Sequence, residues 1–330
     1  MDQKEKTGYE KVETGIQVEK DKYYTDILQE YNTFSSQREK RVALLNTIAK
    51  IGKTNNKKVG VIAFIADPAS MHSSIDTKDV TAMGSALMSI GHVDVLRLII
   101  NSPGGDGVTA EKIVDMCRSY CKKFEVIIPN MAKSAATMIA LGSDEITMGY
   151  CSEIGPIDAQ VPIMVDGIPR MISAQSFINA RKSLLKDFQD AVTQQKDVRA
   201  ILQQIASLNI PFIEQCEKYM QFGRDMVGKY LAKYMFKKDA SNKTTLETKI
   251  NKVLQDLSST DTFIVHGRMI NAHTAKTALG LNVKPLGKDS PDWKAIWEYY
   301  VRADIALGIT KGSTKPAKMI ETITETLIAA

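Results

Sequence analysis

The sequence predicts an α/β fold in which a parallel sheet is covered on both faces by helices. Apolar runs rich in β-branched residues alternate with segments of helical period. Strands that are apolar almost throughout are typical of parallel sheets whose two faces are both buried. The expected order is therefore βαβαβαβ with right-handed crossovers. The apolar runs are 58–65, 93–101, 124–129 and 145–148, and the helical segments are 79–91, 108–123 and one that begins near Ser134.

Further segments flank this core. Residues 1–20 are charged and lack an apolar period, which is typical of a loose or disordered tail. After Asp158 the helical segments become long and charged, and a later unit carries a short strand and a helix capped by Asn271. The stretch 319–328 is mildly amphipathic and is expected to form a docking helix at most. The expected division is a loose tail at 1–20, a helical arm at 21–56, the core at 57–172, a helical oligomerisation or lid region at 173–260, a terminal strand and helix unit of the core at 261–312 and a tail at 313–330.

The composition is that of a globular protein and excludes some functional classes. Of the 330 residues, 44% are hydrophobic and 25% are charged, which suits one large domain with helical additions. The net charge of +5 comes from 43 basic and 38 acidic residues that are spread along the chain. Because a nucleic-acid binder usually shows a basic stripe with interleaved aromatic residues, we expect no nucleic-acid partner.

Cysteine spacing and hydropathy bear on cofactors and location. The four cysteines form no CxxC pair and no His/Cys cluster at metal spacing, so we expect neither a metal nor another cofactor. The polar start of the chain lacks the apolar core of a signal peptide. The apolar stretches also fall short of the roughly 20 residues that span a bilayer. We therefore expect a soluble, cytoplasmic protein without a membrane span.

Two motifs each follow an apolar strand and open a helix. The first, Asn-Ser-Pro-Gly-Gly-Asp-Gly at 101–107, lets the backbone turn sharply and brings amide groups close to an anionic ligand. The second, Met-Ala-Lys-Ser-Ala-Ala-Thr-Met at 131–138, places Ser134 at the start of a helix among small neighbours. Taken singly, the first is also typical of an ordinary turn and the second of a helix cap. Together, on adjacent parallel strands, they indicate a serine beside an anion hole at one edge of the sheet.

These motifs resemble a known family. SPGG at 102–105, KSAATMIALGSDEI at 133–146 and SEIGPIDAQ at 152–160 are similar to the Clp-protease proteolytic subunit and signal peptide peptidase A superfamily, and above all to the serine dehydrogenase proteinases. The resemblance spans about residues 58–306 and implies a Clp-protease/crotonase-like spiral of βαβ units. It also implies peptide-bond hydrolysis within a ring-shaped homo-oligomer that takes peptides or unfolded proteins, with an unfoldase as a further candidate partner.

The resemblance assigns roles to individual residues. Ser134 matches the nucleophile. Gly105 and Asp106 match the positions whose backbone amides form the oxyanion hole, and the Ala135 amide lies beside them. Backbone donors need no particular side chain, so Asp106 fits this role if its carboxylate points away.

The general base does not transfer from the family. Where the Clp subunit has a histidine after the motif aligned with SEIGPID, this sequence has Ile157 and Asp158. Asp158 is therefore a candidate for positioning a base or a water, or for capping a turn. His266, in a predicted turn, is interpreted as structural, with catalysis as the alternative.

A Ser-Lys dyad, as in signal peptide peptidases, is the expected replacement. Such a lysine must be kept neutral by desolvation or by a neighbouring cation. Lys186 and Lys182 follow the GPID loop at roughly the separation that some members with such a dyad show, although the solvated face of an amphipathic helix is the favoured explanation of Lys186. Lys133 is adjacent to Ser134, but it fits the role of base less well, because neighbouring side chains at a helix start diverge.

Two other functions remain open from the sequence. A crotonase-like acyl-CoA enzyme also uses a glycine-rich oxyanion hole, but it needs an acid/base carboxylate and a nucleotide-binding surface and leaves Ser134 without a role. A catalytically inactive oligomeric scaffold is consistent with the missing histidine.

Overall fold

A computed structural model describes residues 24–30, 34–52, 56–258, 269–309 and 316–329. Its strands are β1 Val59–Ala66, β2 Val93–Asn101, β3 Cys121–Ile128, β4 Met131–Ala132, β5 Glu145–Met148, β6 Glu153–Ile154, β7 Gln160–Val165, β8 Ile168–Ser173, β9 Ile270–Asn271, β10 Val283–Pro285, β11 Lys318–Glu321 and β12 Thr326–Ala329. Its helices are α1 Tyr24–Gln29, α2 Phe34–Ala49, α3 Thr77–Ile90, α4 Gly107–Ser119, α5 Ala135–Leu141, α6 Ala174–Thr193, α7 Arg199–Ala206, α8 Ile210–Tyr230, α9 Lys243–Ser258, α10 Ala272–Thr277 and α11 Pro291–Ile309.

The central sheet has seven strands in the order β10-β5-β3-β2-β1-β11-β12. The first five are parallel, and β11 and β12 join antiparallel at one edge. This arrangement confirms the predicted α/β class with a mostly parallel sheet. Strands β1, β2, β3 and β5 all point their carboxyl ends to the same edge, where ligand sites of such sheets lie.

Both faces of the sheet are buried, as the apolar strands predicted. On one face, alternate residues such as Phe64, Leu98 and Val126 pack beneath α3, α4 and α5. On the other face, residues such as Ile65 and Ile99 pack beneath α2 and α11. Because successive side chains of a strand point to opposite faces, a strand between two helical layers is apolar at nearly every position.

The chain ends differ from the sequence-based expectation. The helical arm is part of the core, since Leu45 and Ile48 of α2 are fully buried against the sheet. The expected tail with a docking helix at 319–328 is wrong, because β11 and β12 form a hairpin that extends the sheet from β1. Met319 and Ile320 are both buried, on opposite faces, and this two-sided burial erases the alternating pattern that identifies a strand.

One strand boundary was also misread. The helix predicted for 108–123 ends at Ser119, and β3 begins at Cys121 rather than at 124. Lys122 and Lys123 make the start of β3 charged. Lys122 forms an ion pair with Asp94 of the neighbouring strand, and Lys123 forms one with Glu125 of its own strand. Charged residues at the rim of a strand conceal it from an apolar count.

A third, smaller core lies beside the sheet. Residues of β7, α6 and α8, among them Val161, Ile178 and Met220, pack together around the antiparallel β7–β8 hairpin. The sequence did not predict this hairpin. The short strand predicted before α10, at 262–265, lies outside the described residues. Asn271 caps α10, as predicted, because its side chain accepts a hydrogen bond from the Thr274 amide at 2.9 Å. None of the helices in the described ranges has the length and apolar character needed to cross a membrane.

Candidate active site

The two strand-to-helix junctions meet at the carboxyl edge of the sheet. The Ser102 amide donates to the Met131 carbonyl at 3.0 Å, and the Lys133 amide donates to the Ser102 carbonyl at 3.1 Å. These bonds pair Ser102 with Ala132 as a parallel bridge. The glycine-rich turn at 101–107, called the first loop below, and the serine-bearing turn at 131–134, called the second loop, are therefore joined backbone to backbone. The motif pair predicted that they meet at this edge.

Gly104 brings this contact to Ser134 itself. A Cβ at position 104 would lie 2.6 Å from the Lys133 carbonyl oxygen and 2.8 Å from the Ser134 Cβ. The φ angle of Gly104 is +103°, a region that favours glycine. Any larger residue would push the first loop away from Ser134.

Ser134 is held in a strained backbone conformation. Its φ and ψ are 48° and −117°, which a residue with a side chain rarely adopts. Its hydroxyl makes no capping hydrogen bond to α5, so the helix-cap interpretation of this serine does not describe the structure. Strain of this kind concentrates at functional sites, where it fixes a reactive group in place.

Two backbone amides beside Ser134 are uncommitted. Within the described residues, no protein acceptor is found for the amide of Gly105 or for that of Ala135. Gly105 follows the glycine that contacts Ser134, and Ala135 is the next residue along the chain. The site thus has two donors at the positions that the sequence assigned to an anion hole.

Asp106 requires a correction. Its amide donates to the Ile75 carbonyl at 2.9 Å, so this donor is committed to the fold and is not available to an oxyanion. Its carboxylate points away, as expected, and accepts hydrogen bonds from the Thr109 amide at 2.7 Å and the Thr109 hydroxyl at 2.6 Å. Asp106 is therefore the N-cap of α4.

A third loop, residues 153–155, packs against the second loop. The Gly155 amide donates to the Ala132 carbonyl at 3.0 Å and lies 3.1 Å from the Thr137 hydroxyl oxygen. The Lys133 ammonium pairs with Glu153 at 2.7 Å, with both side chains largely buried. A Cβ at Gly155 would lie 2.7 Å from Lys133 Cδ, so glycine is needed here for the lysine to reach its partner. Lys133 thus joins the second loop to the third.

A cavity of about 280 Å³ opens in front of Ser134. The walls come from the first loop, from α5, from the start of β7 and from α8. Sequence reasoning missed the contribution of α8, because its residues lie more than 80 positions from Ser134 and carry no motif. The lining residues are Gly105, Asp106, Gly107, Val108, Ser134, Met138, Ile157, Ala159, Gln160, Val161, Pro162, Tyr219, Phe222 and Gly223.

The candidate bases fall into two groups. Asp158 is buried, with 4% of its surface exposed, and lies between Ile157 and Ala159, which both line the cavity. Lys186 is exposed on α6 and does not line the cavity, and Lys182 is exposed on the same helix. Of the histidines, the three in the described ranges are exposed and also absent from the lining, and His266 lies outside those ranges.

Comparisons with known proteins identify the family of the chain. The family of ClpP-like SDH-type serine proteinases matches residues 35–252. Two uncharacterized proteins of Methanocaldococcus jannaschii, MJ1495 and MJ0137, are 41% and 38% identical over 66 residues, which is 20% of this chain. The matched segment spans 23% of the length of each of these relatives.

Solved structures with some similarity include two Clp proteases. The ClpP catalytic domain from Plasmodium falciparum is 15% identical, with a TM-score of 0.35 over 71% of this chain and 87% of that one. A mutant of ClpP1 from Listeria monocytogenes is 12% identical, with a TM-score of 0.32 over 78% of this chain and 98% of that one.

The strain at Ser134 leads to a stability prediction. Both Ser134→Gly and Ser134→Ala remove the hydroxyl, but only glycine relieves the positive φ. A strained residue costs about 1–3 kcal/mol, and the added chain freedom of glycine costs about 0.5–1 kcal/mol. We expect the glycine variant to have the higher free energy of unfolding, by about 1 kcal/mol, in urea denaturation. Ala136→Gly, inside α5, is the control and should destabilise; a glycine variant less stable than the alanine variant would contradict strain at this position.

Proposed function

We propose that this chain, which belongs to the family of ClpP-like SDH-type serine proteinases, hydrolyses peptide bonds of peptides or unfolded proteins with Ser134 as the nucleophile. One observation carries the proposal. Ser134 lines a cavity in a strained backbone conformation, its hydroxyl does not cap α5, and the neighbouring Gly105 and Ala135 amides are uncommitted. Each feature has a structural cost that a merely structural serine does not require.

The proposed reaction has two stages. Ser134 Oγ attacks the peptide carbonyl carbon while its proton passes to the general base, and the carbonyl oxygen becomes an oxyanion. The intermediate collapses, the amine leaves with that proton, and an ester remains on Ser134. Water then attacks the ester, the base again relays the proton, and the acid product leaves.

The Gly105 and Ala135 amides are the proposed oxyanion donors. They replace the pair of Gly105 and Asp106 that the sequence suggested, because the Asp106 amide is bound to Ile75. The two loops that carry these donors are hydrogen-bonded to each other through Ser102, so the donors are in place before substrate arrives and need not reorganise in the reaction.

Asp158 is the proposed origin of the acid-base function. It occupies the position that aligns with the family's histidine and lies in the segment that forms one cavity wall. A carboxylate there either accepts the serine proton or orients the group that does. Lys186 is the weaker proposal, because a lysine that acts as a base must be withdrawn from water and this one is exposed.

The cavity supports a preference for an apolar substrate side chain. Met138, Ile157, Val161 and Phe222 are among the residues that line it. Asp106 is the charged residue among those lining it, and its carboxylate is bound to Thr109. An apolar side chain next to the scissile bond is therefore favoured over a charged one.

Assembly into a ring-shaped homo-oligomer is proposed for the same chain. Met164 and Met171 are exposed apolar residues on one face of the β7–β8 hairpin, where they pair with Pro169 and Pro162. Ile168, on the opposite face, and Leu185 of α6 are exposed as well. Exposed apolar residues gathered on one face are typical of an association surface. The mass of the protein in solution, which gives the number of chains in the assembly, tests this proposal. An unfoldase partner is proposed only if the assembly encloses the active sites.

Covalent labelling of Ser134 tests the activity directly. A fluorophosphonate probe should modify the wild type at one site per chain, and Ser134→Ala should remove both the label and the hydrolysis of casein or peptide libraries. Ser143→Ala, a buried serine whose hydroxyl bonds to the Ala140 carbonyl, is the control for serine removal. An unlabelled, inactive wild type would support a scaffold, and a thioesterase or hydratase activity on acyl-CoA without labelling would support a crotonase-like enzyme.

Replacing Asp158 by asparagine tests the source of the base. Asp158→Asn keeps the shape and removes the charge, so kcat should fall by about 100-fold or more, the usual contribution of general acid-base catalysis. The matched variant Lys186→Ala should keep its activity. The opposite pattern, with Lys186→Ala inactive and Asp158→Asn active, would transfer the role to the lysine.

The cavity size is expected to control the side-chain preference. Gly223 lines the cavity, and a Cβ there has its nearest neighbours at 3.7 Å, which is ordinary van der Waals contact, so a side chain can start at this position and occupy cavity space. Gly223→Leu should lower kcat/KM for substrates with leucine or phenylalanine at the cleaved position by at least about 10-fold relative to alanine substrates. Gly308→Leu, with no neighbour within 4 Å, is the control. An unchanged preference would place the substrate side chain elsewhere.

A further inference from the structure

Lys318 of β11 is a buried cation near the active site that the reaction does not use. Its ammonium donates to the Ser74 carbonyl at 3.0 Å and to Asp76 at 3.0 Å, and it pairs with Asp79 at 2.9 Å. Only 4% of its surface is exposed. Three acceptors for three protons satisfy the group fully.

Two carboxylates depend on this single cation. Burial raises the pKa of Asp79, and hydrogen bonds from the Asp76 amide and Lys318 offset this rise only in part. For Asp76 burial also acts upward, but hydrogen bonds from Lys318 and the Lys78 amide outweigh it and leave the pKa lowered. Without Lys318 the buried Asp79 carboxylate would lie beside the half-exposed Asp76 carboxylate with no cation between them, which is costly for the buried member.

The acceptors of Lys318 flank the residue that holds the glycine-rich loop. Ile75 lies between Ser74 and Asp76, its amide donates to the Gly104 carbonyl at 2.7 Å, and its carbonyl accepts from the Asp106 amide at 2.9 Å. A Cβ at Gly105 would collide with the backbone of Ile75. Ile75 therefore presses on the outer side of the loop while Ser134 lies on its inner side.

Peptide geometry links Ile75 to the oxyanion donor. The Gly104 carbonyl and the Gly105 N–H belong to one planar trans peptide and point in opposite directions. Because the Ile75 amide holds the carbonyl on one side, the Gly105 N–H is directed to the other. The orientation of this donor is thus set from outside the catalytic loops.

We propose that Lys318 is a positioning residue for catalysis: by fixing the Ser74–Asp76 segment, it holds Ile75 against Gly104 and so aims the Gly105 amide at the oxyanion. This inference rests on the proposed peptidase function. It gives the hairpin of β11 and β12, whose residues are not among those lining the cavity, a part in the reaction. The effect belongs to the transition state, because the oxyanion is absent from the bound substrate.

The test compares Lys318→Met with Lys288→Met, an exposed control, at a temperature where circular dichroism shows both to be folded. Hydrogen exchange is read in peptides that contain Ile75 or Asp106, and kcat and KM are measured with a peptide substrate of the wild type. We expect Lys318→Met to lose protection at both amides and to lower kcat by at least about 10-fold, with KM within about 3-fold, since misplacing one oxyanion donor weakens only the transition state. The control should match the wild type.

The outcomes separate this inference from the proposed function. If the wild type is active and Lys318→Met shows unchanged hydrogen exchange or unchanged kcat, the positioning role is overturned and the proposed function stands. A wild type that neither labels nor cleaves overturns the proposed function, and the positioning role with it. If Lys318→Met does not fold, Asp76→Asn decides, because asparagine keeps the α3 cap at a half-exposed position and removes one charged partner of Lys318. The same pattern in smaller measure supports the proposal, and unchanged exchange and kcat overturn it.

Discussion

The close approach of the Gly104 backbone to Ser134 is the constraint on which the rest of the site depends. With 2.8 Å between the Ser134 Cβ and the place where a Gly104 Cβ would be, the two loops are in contact without an intervening side chain. Gly105, the next residue, and Ser134 both line the cavity. Ile75 braces the first loop from outside, and the Lys133–Glu153 pair braces the second from behind.

The buried sheet supplies the rigidity that this contact needs. Strain at a residue such as Ser134 costs about 1–3 kcal/mol. The helix that follows contains Ile139 and Leu141, which are 1% and 0% exposed, and burial of one such side chain stabilises by about 1.5–3 kcal/mol. A single turn of α5 thus offsets the strain, and the serine cannot relax without withdrawing apolar side chains from the core.

Sequence-based prediction succeeded where local pattern and buried position coincide. Strands β2 and β5 have the predicted bounds, because apolar runs between turn residues identify fully buried parallel strands. It failed at Asp106, whose availability as a donor depends on Ile75, about 30 positions earlier, and no local pattern encodes that hydrogen bond. It failed also at β11 and β12, where burial on both faces removes the alternation of a strand.

By itself the sequence determined the α/β class and the pairing of a glycine-rich turn with a serine-bearing turn, and it singled out Ser134 as the candidate nucleophile, because glycine, serine and apolar runs act through local geometry. Only the tertiary structure decided which amides remain free, which helix forms the cavity wall and which charges are buried together. These depend on contacts between residues far apart in the chain, such as Lys318 with Asp79 and Phe222 with Ser134's cavity. Hydrogen bonds and burial are properties of such contacts, so they are fixed only when the chain has folded.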